Sequence, residues 1–207
     1  MKQKPNSTVA PLLLLFFALV APSPSSAGAP TEQIRASVDK IVAILNNPQL
    51  KSAAKTKERR DQLRQAISSR FDFTEMARRS LGSQWRRLGP KEQEEFVRLF
   101  TDLLERAYVD RIEGYSDEKF AYVREILDRN YAEVNSRIVT HNGEEFSLNY
   151  KVLLKNGEWK VYDVVVENIS LVNNYRSQFT RIITNSSYEE LLRRMKDKQI
   201  EVAGERK

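Results

Sequence analysis

The hydrophobic period of this 207-residue chain switches from helical to alternating at Lys119, and that switch limits the folds open to it. Upstream, apolar residues recur at helical spacing; from Lys119 to Glu167 they alternate. Ile34, Val38, Ile41, Val42 and Leu45 form a helical stripe that stops at Asn46-Asn47-Pro48. A very basic helix is expected over Thr56 to Ser69, burying Leu63, Ala66 and Ile67. Asp72 and Glu75 form a D-x-x-E cap ahead of Met76, and Gly82 supplies a left-handed C-terminal cap. Pro90 opens the strongest helix, with Phe96, Phe100, Leu103, Leu104, Tyr108 and Ile112 along one side and Gly114 at its end.

Beyond the switch, Lys119 to Leu127, Tyr131 to Thr140, Glu144 to Lys155 and Glu158 to Glu167 read as four strands of an antiparallel meander. Asn142-Gly143 and Asn156-Gly157 join the last three, and each pair predicts a type I′ hairpin because both residue types tolerate positive φ. The third strand places Phe146, Leu148, Tyr150, Val152 and Leu154 on one face and Ser147, Asn149 and Lys151 on the other. In the fourth, strict alternation puts Trp159, Val161, Asp163 and Val165 on one face and Tyr162, Val164 and Val166 on the other, so both faces are expected to be covered. Ser170 stands at a helix N-cap, followed at helical spacing by Leu171, Tyr175, Phe179, Ile182 and Ile183, and a last helix is capped by Ser187 with Glu190. Helices and strands are segregated, which predicts an α+β fold: a four-stranded antiparallel sheet packed against several helices, not a Rossmann arrangement.

Lys2 and Lys4, an apolar run from Val9 to Ala21 and the small-residue stretch PSPSSAGAP have the layout of a secretory signal peptide, with cleavage expected after Ala27. The run is shorter than the roughly 20 residues a membrane span needs. The expected organisation is a leader over 1–27 and one domain over 28–207, not membrane-spanning and exported. With no cysteine in the chain, that domain must be held by an ordinary apolar core. Loss of Lys2 and Lys4 leaves 32 basic against 28 acidic residues. The arginine doublets mostly lie close to acids and read as solvated helix faces, not as a nucleic-acid site.

Catalytic constellations are missing. Without cysteine and with one histidine, no thiol nucleophile or cysteine-zinc site is available, and His141 falls at an expected hairpin tip. The seven glycines have no phosphate-loop spacing. Asp163, flanked by apolar residues, is the one carboxylate placed for acid–base work; its structural alternative is a brace that accepts hydrogen bonds from the corner after the strand, or pairs with Arg176. That alternative is preferred, because no second catalytic group accompanies it.

The chain is rich in apolar surface. Two packings fit the pattern: an ordinary close-packed core, or a dry cavity held open between helices and sheet that accepts acyl chains.

Three segments, RFDFTEMARRSLGSQW (Arg70 to Trp85), PKEQEEFVRLFTDLLERAYVDRIEGY (Pro90 to Tyr115) and GEWKVYDVVVENISLVNNYRSQF (Gly157 to Phe179), resemble the soluble periplasmic phospholipid-binding proteins of the Mla (maintenance of lipid asymmetry) pathway, also called the toluene-tolerance family. A hopanoid-linked branch looks similar. One departure is Asn168, where such proteins often carry glycine. The resemblance implies a periplasmic, monomeric, non-enzymatic carrier without a cofactor, whose ligand is phospholipid. Its acyl chains would lie in an apolar pocket between sheet and helices, with the headgroup outside. The implied partners are an inner-membrane ABC transporter complex and an outer-membrane lipoprotein-porin complex. Motif position and face assign the pocket to Phe73, Met76, Trp85, Phe96, Phe100, Leu104, Tyr108, Leu148, Tyr150, Val152, Val164, Val166, Tyr175 and Phe179, with Asp163 and Arg176 as scaffold. The rival readings are an exported protein–protein interaction module without ligand and a hydrolase centred on Asp163 or His141.

Overall fold

The computed structural model describes residues 28–115 and 117–201; the expected leader lies outside them. Among the described residues no helix is long and apolar enough to cross a membrane.

Helix α1 (Ala29–Asn46) carries Pro30 in its first turn. Its start is capped from the sheet, since the Thr31 N–H and hydroxyl both donate to Glu125 Oε2, at 2.9 and 2.6 Å. An acid at a helix N-terminus is favoured by the dipole as well as by the bonds. Two 3₁₀ turns, Pro48–Leu50 and Ala53–Lys55, lead into α2 (Thr56–Arg70). Asp72 then caps α3 (Phe73–Leu81), accepting the Glu75 N–H at 3.0 Å. Gly82 closes α3 with φ 59° and ψ −125°, a conformation that only glycine adopts readily. After a 3₁₀ segment (Gly82–Arg87), α4 (Pro90–Glu113) starts with the Gly89 N–H donating to Glu92 Oε2 at 2.7 Å. Ion pairs fasten α2 to α4: Arg59 and Arg60 to Glu113, at 2.8 and 2.6 Å, and Arg64 to Glu105.

The sheet runs β1 (Lys119–Asp128), β2 (Tyr131–Val139), β3 (Glu145–Lys155), β4 (Glu158–Val166) and β5 (Ile169–Ser170), antiparallel and in that spatial order. It therefore has five strands, not the four expected. Alternation is invisible in a two-residue strand, and the turn that creates it contains no glycine: Glu167 and Asn168 both take left-handed conformations, φ 46° and 65°, and return the chain along β4. The Asn168 departure is accommodated in this way, since asparagine visits that region at modest cost. Ser170 ends β5 and caps α5 (Leu171–Asn185), accepting the Asn173 N–H at 3.0 Å. Ser187 caps α6 (Tyr188–Lys196) through the Glu190 N–H at 3.2 Å.

The two Asn-Gly turns differ. Asn156 and Gly157, φ 53° and 81°, make the expected two-residue connection. At Asn142-Gly143 the type I′ expectation is corrected: only Gly143 has positive φ, its N–H donates to the Thr140 carbonyl at 3.0 Å, and Thr140 pairs with Glu144. The loop is thus the three residues His141, Asn142 and Gly143, a turn with glycine in the left-handed position.

Register overturns the face assignment in β4. Val161 lies opposite Val152 and Asp163 opposite Lys151, leaving Tyr162 as an extra residue. This bulge flips parity. Trp159, Val161, Val164 and Val166 share the face carrying Leu148, Tyr150 and Val152, while Asp163 and Val165 lie on the other. A second bulge, at Val123, interrupts β1.

Apolar burial falls into two clusters. One joins α3, α4, α5 and α6 around Met76, Phe96, Phe100, Leu104, Tyr175 and Phe179. The other sets Ile34 of α1 against Ala132, Val134, Tyr150, Val152, Trp159 and Val161 of the sheet.

Candidate functional site

The fourteen residues expected to line a pocket divide between the two clusters. Met76, Phe96, Phe100, Leu104, Tyr175 and Phe179 are buried in the helical cluster, with Phe73, Trp85 and Tyr108 partly buried against it. Phe100 meets Tyr175 and Phe179 edge-on at 5.6 and 5.9 Å, and Phe96 meets Phe179 edge-on at 5.8 Å. These rings satisfy one another as a packed core does. Tyr150 and Val152 are buried in the sheet cluster, and Leu148 and Val164 pack against it partly covered. Val166 is 38% exposed.

Burial along that sheet face is graded. Val134, Val152 and Val161 are fully covered, Phe146, Leu148 and Val164 are half-buried, and Val166 and Ile169 are exposed at the end beside α5. Leu148 pairs with Val166 and Tyr150 with Val164, so the uncovered side chains continue the buried row. Elsewhere, Ile41, Val42, Ile44 and Leu45 of α1 and Tyr108 and Ile112 of α4 are also half-buried. The protein thus supplies more apolar wall than its own side chains cover, which is what an acyl chain needs.

The tethers of α1 explain the gradient. Gln33 Oε1 accepts from the Trp159 N–H at 2.9 Å and from Arg70 Nη1 at 2.8 Å, and Arg70 also donates to Ser37 Oγ at 2.8 Å and to the Trp159 carbonyl at 2.7 Å. With Thr31 on Glu125, these bonds hold the first half of the helix against the sheet. All of them precede Val38. The Phe71 bridge to Val161 and the Asp72 N–H bond to the Val161 carbonyl at 2.8 Å seal the edge of β4 from the other side. Sequence reasoning missed both; a lone extended residue between two helices leaves no periodic signal.

Where α1 meets β1, a cleft of about 330 Å³ is lined by Arg35, Asp39, Val42, Tyr115, Glu118, Phe120 and Tyr122. None of these was expected at a site: Val42 was read only as part of the apolar stripe of α1, and of the rest only Tyr115 falls in a segment that carries the family resemblance, at its end.

Asp163 is a brace. Its Oδ2 accepts from the Ser170 hydroxyl at 2.6 Å and its Oδ1 from the Val172 N–H at 3.0 Å, with Lys151 at 4.0 Å. The expected alternative partner, Arg176, lies against Gly82 instead, where a Cβ would stand 3.0 Å from its guanidinium. His141 is exposed on its hairpin. Among the described residues no group of three or more His, Asp or Glu is placed to hold a metal ion.

A family model described as MlaC protein matches residues 35–197. The chain is 28% identical over 120 residues to the intermembrane phospholipid transport system binding protein MlaC of Haemophilus influenzae; the match covers 56% of this chain and 56% of that protein, so it spans little more than half of the relative's length. The fold is similar to that of the phospholipid-binding protein from Ralstonia solanacearum in complex with a phospholipid, with a TM-score of 0.71 and 26% identity over 83% of this chain and 96% of the other.

Proposed function

The chain belongs to the MlaC family, and from that premise we propose that it is a periplasmic phospholipid carrier whose acyl chains lie along the half-covered apolar face of the sheet. The observation that carries this reading is the uncovered continuation of the buried row, Leu148, Val164 and Val166, beyond the tethered half of α1. Each acyl methylene removed from water contributes about 0.8 kcal/mol, so a lipid crossing an aqueous compartment needs such a wall. The protein performs no covalent chemistry in this role.

Loading requires space that the packed arrangement lacks, and the second half of α1 is the element positioned to give it by moving outward from the sheet. Of the fourteen residues, Leu148, Tyr150, Val152, Val164 and Val166 form the sheet wall. Phe96, Phe100, Tyr175 and Phe179 form the helical core that backs α4 and α5. The unit that carries the lipid is residues 28–207 after removal of the leader. In the finer reading the carrier exchanges lipid between an inner-membrane ABC transporter complex and an outer-membrane lipoprotein-porin complex, as a monomer.

The test is native mass spectrometry and solvent extraction of protein purified without added lipid. A lipid-sized mass excess and recovered phospholipid are expected. A bare mass, with no uptake from phospholipid vesicles, overturns the carrier and favours an interaction module.

A further inference from the structure

The cleft between α1 and β1 is unlike the apolar wall it adjoins. Arg35 and Asp39 stand one helical turn apart on α1, and Tyr122, Phe120, Tyr115 and Glu118 close the opposite side. The Arg35 guanidinium sits 5.0 Å over the Tyr122 ring. The Tyr115 hydroxyl donates to the Glu118 carbonyl at 2.9 Å, and its ring stacks on Phe120 at 6.3 Å. These contacts hold the cleft's walls in place. The Tyr122 hydroxyl is buried with no hydrogen-bond partner among the described residues. Burial first, and then the Asp39 carboxylate, push that hydroxyl's pKa up to about 12, so it is a neutral donor at every relevant pH. Buried hydroxyls without partners are rare, and one beside a charged cleft marks a place for a polar ligand group.

The position fits the sheet's apolar face. Tyr122 pairs with Ser136 in β2, whose hydroxyl donates to the Leu148 carbonyl in β3. The ring packs partly buried against the cluster of Tyr150, Val152 and Val134. One side of Tyr122 therefore belongs to the acyl wall and its surroundings to the charged cleft. A volume of about 330 Å³ is at the lower end of small-molecule sites and holds a headgroup but not two acyl chains.

Resting on the carrier reading, we infer that this cleft binds the lipid headgroup and selects one that carries both a phosphate and a primary ammonium, with Arg35 and the Tyr122 hydroxyl on the phosphate and Asp39, supported by Glu118, on the ammonium. Guanidinium suits phosphate, and a carboxylate suits an ammonium that can donate hydrogen bonds. An anionic headgroup ending in glycerol leaves Asp39 facing a neutral polyol beside a phosphate of its own sign. A quaternary ammonium has no N–H to donate, and Arg35 already covers the Tyr122 ring face that would otherwise attract it.

The experiment loads the purified protein from equimolar phosphatidylethanolamine and phosphatidylglycerol vesicles with identical chains, followed by native mass spectrometry. Wild-type protein is expected to enrich the ethanolamine lipid about threefold, the scale of one partly exposed ion pair. Asp39→Asn, an exposed change on α1, should return the ratio of the two bound lipids to that of the vesicles. Arg35→Gln should lower loading of both lipids together, since both carry the phosphate. Wild-type protein loaded in proportion to the vesicles overturns the headgroup assignment and leaves the carrier intact, as does enrichment that survives Asp39→Asn. Protein that takes up neither lipid overturns both. Calorimetry with soluble glycerophosphoethanolamine separates the two sources of this chemistry: tight binding without chains would assign the cleft to a soluble phosphoester and overturn the lipid role.

Discussion

The carboxylate of Asp163, on β4, accepts the hydroxyl of Ser170 at 2.6 Å, while Ser170 itself accepts the Asn173 N–H and so caps α5. A buried strand residue thereby fixes where the next helix starts. The second oxygen takes the Val172 N–H, so the helix's first turn is satisfied from the sheet.

Asp163→Asn should therefore act on stability. Asparagine keeps the shape but loses one charge-assisted acceptor, at a cost of about 1–3 kcal/mol. Urea denaturation is expected to show a lower midpoint, with phospholipid loading per folded molecule unchanged. An unshifted midpoint would remove the brace.

Phe100→Ala tests the helical cluster as a core. Phe100 is fully buried and touches Tyr175 and Phe179 edge-on, so truncation should cost about 3–5 kcal/mol. Loading of the surviving folded protein should be close to normal. Equal loss of loading and little loss of stability would instead make these rings a ligand wall.

Leu148→Glu places a charge on the half-covered sheet face, where a lipid chain would have to desolvate it. Co-purifying phospholipid is expected to drop by about tenfold, which corresponds to 1.4 kcal/mol. The melting temperature should move little, because Leu148 is only half-buried without ligand. Wild-type lipid content in this variant would count against the proposed groove.

Gly82→Ala should destabilise by about 1 kcal/mol or more, since a side chain at φ 59° and ψ −125° is strained and its Cβ would stand 3.0 Å from the Arg176 guanidinium. Comparison of denaturant midpoints decides this; a neutral outcome would show that α3 ends elsewhere in solution.

Asp72 gives an acid limb to stability. Burial pushes its pKa up, but the Lys155 ammonium at 2.6 Å and the Glu75 N–H outweigh that, and the carboxyl lies below its ordinary value of about 3.9. The group is thus deprotonated more readily folded than unfolded, so its contribution is complete above about pH 4 and is lost as pH falls through the lower folded pKa. Asp72→Asn should flatten the stability curve between pH 5 and about pH 2 relative to wild type, measured by denaturant midpoints. Parallel curves would refute the assignment.

The local grammar of this chain was legible residue by residue. Asp72, Gly82, Pro90, Ser170 and Ser187 all stand at the helix ends their chemistry predicts, and Asn156-Gly157 makes its two-residue turn. Each depends on neighbours within about four positions. Tyr162 defeated the face assignment because an inserted residue breaks period-two alternation without altering composition, and only the partner strand reveals it. The Glu167-Asn168 turn was hidden for a related reason: left-handed glutamate has no sequence signature, and packing imposes it.

By itself the sequence determined which segments are helical and which are strands, where most of them begin and end, and that no catalytic cluster is built from thiols or multiple histidines. The tertiary structure alone decided that the apolar residues separate into a helical core and a sheet face, that Thr31, Gln33 and Ser37 tether the first half of α1, and that Arg35, Asp39 and Tyr122 meet in one cleft. The reason is range. Caps and periods are set by bonds a few residues long, whereas which face a helix covers, and how completely, depends on register and packing between elements more than 80 residues apart.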